Sequence, residues 1–349
     1  MKTHVEIDGE RFLINGRPTY ENCDEAIHGM LFNSRMVQAI FDDKCEETRS
    51  RWAYPDTGEW DPERNVAEFC KAMPEYRAHG VLGVTVGLQG GGAIYSPEVY
   101  DKYVNSAFTP DGEFRQPYFD RLERVLRTAD DLGMVVIVNY FYWKQVEKIP
   151  DDDVILDLTA RTTEWLLKSG YRNVLVDIAN ESAPFWKRPL CEPENVHKLI
   201  EVAKATRLDG RRLPISVSTA GGTNLPIGRW REMEDFHLPH GNGCKPEKLK
   251  AKLLELKDSP EHKSHPRPIV VNEDSINMAN FEAALECGVS WGFYAQGFGS
   301  GYGGWGKRER ETSYEELSGF QTLPVNWTIN TPAKKAFFGR VKELTGGGA

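Results

Sequence analysis

Nowhere in the 349 residues is there a run of ~18 apolar side chains, which excludes a membrane-spanning helix. The N-terminus, Met1-Lys2-Thr3-His4-Val5-Glu6-Ile7-Asp8, lacks the apolar stretch of a signal peptide. The expected location is therefore the cytoplasm, or the exterior if a leader has been removed. Cysteine is sparse: Cys23, Cys45, Cys70, Cys191, Cys244 and Cys287 are scattered without a CxxC pair. Reduced, packed thiols are expected, with no disulfide framework and no zinc site. Basic charge is also short, 43 Lys and Arg against 52 Asp and Glu for a net charge of -9, so nucleic acid is not an expected partner. No fixed-period repeat and no linker breaks the chain, and residues 1–349 read as one domain. Missing too is a phosphate-type glycine motif after the first predicted strand, which an open doubly wound sheet would need.

What is present is an alternation of short β-rich runs with longer amphipathic ones, the pattern of a parallel α/β fold. A hairpin opens the chain, His4 to Ile7 and Arg11 to Ile14 around Asp8-Gly9, placed as a cap on a barrel floor. Eight strand-then-helix units follow. The predicted strands are Arg35–Phe41, Leu82–Val86, Met134–Asn139, Val174–Ile178, Pro214–Ser218, Asp235–Leu238, Pro268–Val271 and Val289–Ala295. Gly80, Gly133 and Gly288 follow predicted helices where a left-handed residue is wanted, and Pro246 and Pro332 stand at first helical positions. Runs such as Met134-Val135-Val136-Ile137-Val138 are continuously apolar, as in a sheet buried on both faces. The fold class expected is a (β/α)₈ TIM barrel with long loops after its strands.

In such a barrel the chemistry sits at the C-terminal strand ends. Two strands end alike, Val174 to Ala179 running into Asn180-Glu181, and Ile269-Val270-Val271 running into Asn272-Glu273. A carboxylate after a buried apolar strand costs desolvation energy unless it has partners or a task. Strands four and seven lie across an eight-strand barrel, so Glu181 and Glu273 can converge over its mouth and do acid/base or nucleophilic work.

Asn180-Glu181 closing strand four and Glu273 closing strand seven resemble the signature of clan A glycoside hydrolases, barrels that include many cellulases, β-mannanases and β-galactosidases. The opening Phe12-Leu13-Ile14-Asn15-Gly16-Arg17-Pro18 is similar to the entry of many of these barrels. The resemblance implies Glu181 as general acid/base, Glu273 as nucleophile, Asn180 as a contact to the sugar 2-hydroxyl and Trp291 as an aromatic platform. It implies a carbohydrate substrate, retention of configuration and no cofactor, and says nothing of oligomeric state. Those roles predict a raised proton affinity for Glu181 and an ionised Glu273 at neutral pH. The chain departs from the pattern at two places: Ser182 rather than Pro follows Asn-Glu, and strand six offers His237 and His240 where a Tyr often bonds the nucleophile.

Several further residues have two readings. His237 and His240 either line the site and orient Glu273 or cap strand-end backbone. Tyr140, Tyr142, Trp143 and Trp186, and Trp305 in the glycine-rich loop after strand eight, are either sugar-stacking walls or packed aromatics. Asp42-Asp43, with Arg51, Trp52 and Tyr54, either bind hydroxyls or are solvated. Arg35, at the start of predicted strand one, reads as a floor residue as readily as a site residue. Two alternatives to the hydrolase reading stand beside it. One is a metal-dependent barrel hydrolase using His237, His240 and the glutamates, disfavoured by the lack of HxH on strand one. The other is a non-catalytic carbohydrate-binding barrel.

Overall fold

The computed structural model describes residues 1–91, 101–184, 186–296 and 319–347. The chain opens with β1 (Val5–Asp8), β2 (Arg11–Ile14) and β3 (Arg17–Pro18), a small antiparallel sheet. Gly9, at φ +56°, supplies the left-handed residue in the turn that pairs Asp8 with Arg11.

β4 (Asn33–Arg35) begins the barrel, followed by α1 (Glu46–Arg49), α2 (Pro62–Ala78), β5 (Gly83–Gly87), α3 (Gln116–Leu132) and β6 (Val135–Tyr142). Next come α4 (Trp143–Val146), α5 (Asp152–Lys168), β7 (Val174–Asn180), α6 (His197–Ala205), β8 (Ile215–Ser216), α7 (Gly228–Met233), α8 (Pro246–Asp258) and α9 (Pro260–Ser264). β9 (Val270–Val271), α10 (Met278–Glu286), β10 (Ser290–Phe293) and α11 (Pro332–Thr345) complete it. Helix starts follow side-chain capping: Asp61 accepts from the N–H groups of Glu63 and Arg64 ahead of α2, and Thr331 accepts from Lys334 ahead of α11.

Seven strands hydrogen-bond in parallel in the order β8-β7-β6-β5-β4-β10-β9. The predicted sixth strand closes the ring as two isolated parallel bridges, Ser218 with Leu238 and His237 with Ile269. The Val270 N–H donates to the His237 carbonyl at 2.8 Å and the Thr219 N–H to Leu238 at 3.1 Å. The predicted eight-membered barrel is thus present, with one member reduced to bridges. The small N-terminal sheet meets its floor: Asp130, in the last turn of α3, accepts from the Lys2 and Thr3 N–H groups, and Val5 bonds the Arg172 carbonyl below β7.

The wall strands are apolar because both faces are covered. Val84, Val136 and Val174 pair across three neighbouring strands. Outside them Phe293 stacks on Phe337 of α11, ring centroids 4.9 Å apart. All six cysteines are free. Among the described residues no helix is long and apolar enough to cross a membrane.

The first predicted strand is displaced. β4 ends at Arg35, where Arg35–Phe41 was expected, and the chain then turns through Ala39 N–H to Met36 carbonyl and Phe41 N–H to Gln38 carbonyl bonds. Residues 30–43 are all buried, and the strand itself is the polar Asn33-Ser34-Arg35 while the more apolar Met36–Phe41 forms the turn, so the apolar run that reads as a strand lies beyond it. The consequence is functional. Arg35 stands at the C-terminal end of its strand, at the mouth and not the floor.

Candidate active site

The C-terminal strand ends surround a cavity of about 420 Å³ whose lining includes Arg35, Asn180, Glu181, Asn242, Glu273 and Tyr294. β7 delivers Glu181 with an unusual backbone: φ is +60°, a left-handed conformation that costs a non-glycine residue of order 1 kcal/mol or more. Neighbours fix it there. The buried Asp177 carboxylate accepts from both the N–H and the hydroxyl of Ser218, each at 2.9 Å, and the Ser218 oxygen accepts from the Glu181 N–H at 3.1 Å. The Trp186 indole donates to the Glu181 carbonyl at 2.8 Å. Burial pushes the Asp177 carboxyl up to about 7, against the pull of Arg35 and Ser218.

Glu273 follows β9 and is buried, with an ion pair at one oxygen and an amide donor at the other. The Arg35 Nε lies 2.7 Å from Oε2, and the Asn242 amide donates to Oε1 at 3.0 Å. The same guanidinium donates to the Asn180 side-chain oxygen and lies 5.6 Å from the Tyr294 ring centroid. Asn242 is brought in by the loop after the sixth barrel position. That approach demands a glycine on the facing loop, since a Cβ at Gly221 would overlap Asn242.

Between the two acids stands His240, fully buried, its Nδ1 3.2 Å from Glu181 Oε1 and 3.4 Å from Glu273 Oε2. The ligand atoms of Glu181, His240 and Glu273 all lie within 4.8 Å of one another. Lys252 of α8 donates to the His240 carbonyl at 2.7 Å; burial pulls its ammonium down to about 8.

The electrostatics differ from expectation at one residue. Burial raises Glu273, with repulsion from Glu181 and Asp177 added, while Arg35 and His240 pull it back. The Arg35 ion pair and the Asn242 amide are the contacts that favour its charged form. Burial raises Glu181 too, but the contact with His240, the charge of Arg35 and the Gly221 N–H outweigh it and hold Glu181 below the usual range. The raised proton affinity expected of Glu181 is therefore not a property of the unliganded site.

The strand pleat decides the fate of the other predicted residues. Asn180 and His240 are at the mouth. Trp291 is turned out into the helix layer, packed on Phe281 and Phe337, its indole donating to Asp274 at 2.8 Å. The aromatic that this strand's exit turns to the cavity is Tyr294. Tyr140 likewise points outward, bonded to Thr163 of α5, while its neighbour Asn139 faces in. His237 is buried against Glu234 and His262 behind the sixth barrel position, away from the cavity. Asp42 is buried among Lys44, Trp60 and Tyr118 beneath the loop after β4. Trp186 supports the Glu181 backbone and is not among the lining residues. Tyr142 and Trp143 do line the cavity, and so does Gln89. Trp305 lies outside the described residues. Sequence reasoning missed Asn242 and Tyr294 and misplaced Arg35. The strand-end rule would have found Arg35 had the first strand been ended six residues earlier.

Glu181, His240 and Glu273 have the composition of a three-ligand metal site. Their surroundings fit a proton better than a cation. Arg35 and Asn242 already occupy the two oxygens of Glu273, one by an ion pair and one by a hydrogen bond, and a divalent ion bound there would face a guanidinium.

No protein-family profile and no curated protein sequence matches the chain. Solved structures do. A broad-specificity endoglucanase from Clostridium longisporum superposes with a TM-score of 0.55 at 11% identity, over 94% of this chain and 99% of that one. An endo-β-1,4-mannanase from Thermotoga petrophila gives 0.56 at 12% identity over 90% and 77%. A β-mannanase from the blue mussel Mytilus edulis gives 0.50 at 12% over 84% and 91%. The fold is the one these glycoside hydrolase barrels share. This barrel carries two glutamates at its fourth and seventh positions, and its sequence is only 11–12% identical to theirs.

Proposed function

We propose that the chain is a retaining β-glycoside hydrolase that cleaves oligo- or polysaccharide by double displacement. The observation that carries this reading is the approach of Glu181 and Glu273 oxygens to within 4.8 Å at one cavity. Retaining enzymes place their carboxyl groups about 5–5.5 Å apart, whereas inverting ones leave about 6.5–9.5 Å to seat a water. The barrel shared with enzymes named as an endoglucanase and mannanases adds support.

Glu273, held by Arg35 and Asn242, attacks the anomeric carbon as Glu181 protonates the departing oxygen. The glycosyl ester on Glu273 is then cleaved by a water that gives its proton to Glu181. Asn180, braced by Arg35, is the amide placed for the 2-hydroxyl, and Tyr294 offers an aromatic face to the sugar ring. Among the described residues the cavity lining is rich in amides, with Gln89, Asn139, Gln296 and Gln321 beside Asn180 and Asn242, a lining suited to the hydroxyls of a neutral sugar.

The test is a panel of chromogenic β-glycosides with NMR detection of the first sugar released. Hydrolysis with the β-anomer appearing first is expected. The α-anomer appearing first, or no turnover of any β-glycoside, overturns the proposal.

A further inference from the structure

His240 occupies a position that hydrolysis through two glutamates does not by itself require. Its Nδ1 lies almost midway between the reacting acids, 3.2 Å from Glu181 Oε1 and 3.4 Å from Glu273 Oε2. Its other ring nitrogen, Nε2, is buried and has no hydrogen-bond partner among the described residues. A bare lone pair at such a place costs less than an orphaned N–H, so the ring proton belongs on Nδ1. One donor therefore serves two acceptors, and it cannot serve both fully.

Resting on the double-displacement reading, we propose that His240 is a positioning residue whose single Nδ1–H follows the negative charge from one glutamate to the other. Before the first step Glu273 is the anion and Glu181 carries the proton, so the N–H faces Glu273. As the glycosidic bond breaks, the Glu181 proton passes to the departing oxygen and Glu273 becomes a neutral ester. The charge now resides on Glu181, and a small tilt of the ring brings the same N–H to it. In the second step water gives a proton to Glu181 and its oxygen to the sugar, the ester bond breaks, and the donor returns. No proton leaves His240 at any stage. The fold holds the ring's backbone firmly for this: Lys252 donates to the His240 carbonyl and the His240 N–H donates to the Thr219 hydroxyl at 3.3 Å.

The charged and titratable groups around the ring are Glu181 at the end of β7 and Glu273 beyond β9, both at Nδ1, with Arg35 ending β4 paired to Glu273 and Lys252 from α8 on the His240 carbonyl. In His240→Phe these groups all remain while the shared donor is gone. Because the donor stabilises whichever carboxylate is ionised, both titration steps of the pair should rise, by about one pH unit each. His240→Asn, whose amide nitrogen can sit where Nδ1 was, should bring at least one step most of the way back.

The readout is NMR titration of protein labelled at the glutamate side-chain carboxyl carbon, with the pH profile of kcat/KM alongside. Movement of both steps in His240→Phe, with recovery in His240→Asn, supports the shared donor. Movement of neither, or of only one, overturns it. If His240→Phe does not fold, His240→Asn and His240→Gln carry the same comparison, and titrations in both that match a variant at Cys244 overturn the proposal. Shifts without turnover by the wild-type protein would sink the hydrolase reading and keep the shared donor. Turnover without shifts would do the reverse.

Discussion

Two buried carboxylate–histidine contacts lie on one short stretch of chain and do opposite things. At the mouth, His240 meets Glu181 and Glu273 beside a 420 Å³ cavity. Behind the sixth barrel position, His237 meets Glu234, which also accepts from Ser216 and Trp230, with the His262 ring 5.4 Å away. By pKa alone the second pair is the more perturbed. Burial drives Glu234 well above the usual carboxylate range and pulls the His237 imidazole down to about 3. Yet none of these residues lines the cavity. Perturbation marks desolvation, and only access to substrate turns desolvation into chemistry.

The largest effect that would break this contrast is at the mouth. Glu273→Ala is expected to lower kcat by about 10⁴- to 10⁶-fold on every β-glycoside, measured against protein shown to be folded by circular dichroism. Glu181→Ala should cost about 10²- to 10⁴-fold with leaving groups that need a proton, and far less with dinitrophenyl glycosides. Equal losses on both substrate types would remove Glu181 from its assigned role. Next comes Arg35→Met. Without the guanidinium 2.7 Å from Glu273, that carboxyl loses its main opposing charge and its proton affinity rises further. The acid limb of the kcat/KM profile should move to higher pH and the rate at neutral pH fall about 10²-fold. An unmoved acid limb would show that Arg35 only packs.

Arg35 also shows where the sequence stopped being legible. The strand-end dipeptides are visible because polar residues interrupt apolar runs at Asn180 and Asn272. At the first strand the pattern is inverted: the strand is Asn33-Ser34-Arg35 and the apolar residues Met36 to Phe41 fall in the buried turn after it, so the apolar run points to the wrong segment. Which aromatic faces the cavity was equally hidden. Trp291 and Tyr294 stand either side of the strand's exit, and the pleat at β10 turns Trp291 toward Asp274 and leaves Tyr294 at the mouth. Asn242 sits on a loop with no period at all. Helix ends, by contrast, were readable where Gly133 and Pro332 act locally.

That division gives a smaller effect to measure. Tyr294→Ala should raise KM about threefold to tenfold through loss of a stacking face. Trp291→Phe should leave KM unchanged and lower stability by about 1–3 kcal/mol, since Asp274 loses a buried donor. A KM effect at Trp291 with none at Tyr294 would reverse the placement.

The smallest effect concerns the silent pair. His237 has a folded value below that of a free imidazole, so the folded state binds its proton less readily than the unfolded chain. Its contribution to stability is complete above about pH 6.5 and is lost as pH falls from there toward 3. His237→Gln should flatten this part of a thermal-denaturation series between pH 6.5 and 5 and leave kcat/KM per folded molecule unchanged. A change in the pH–rate profile would bring His237 into the mechanism.

The central claim is that two acids at opposite barrel strands act as nucleophile and acid/base on one sugar. Incubation with 2-deoxy-2-fluoroglycosyl fluorides, followed by intact-mass measurement and peptide mapping, tests it directly. One fluorosugar attached through Glu273, in the wild type and not in Glu273→Gln, is predicted. Attachment at another residue, or none with a fluoroglycoside whose parent sugar the protein hydrolyses, would contradict it.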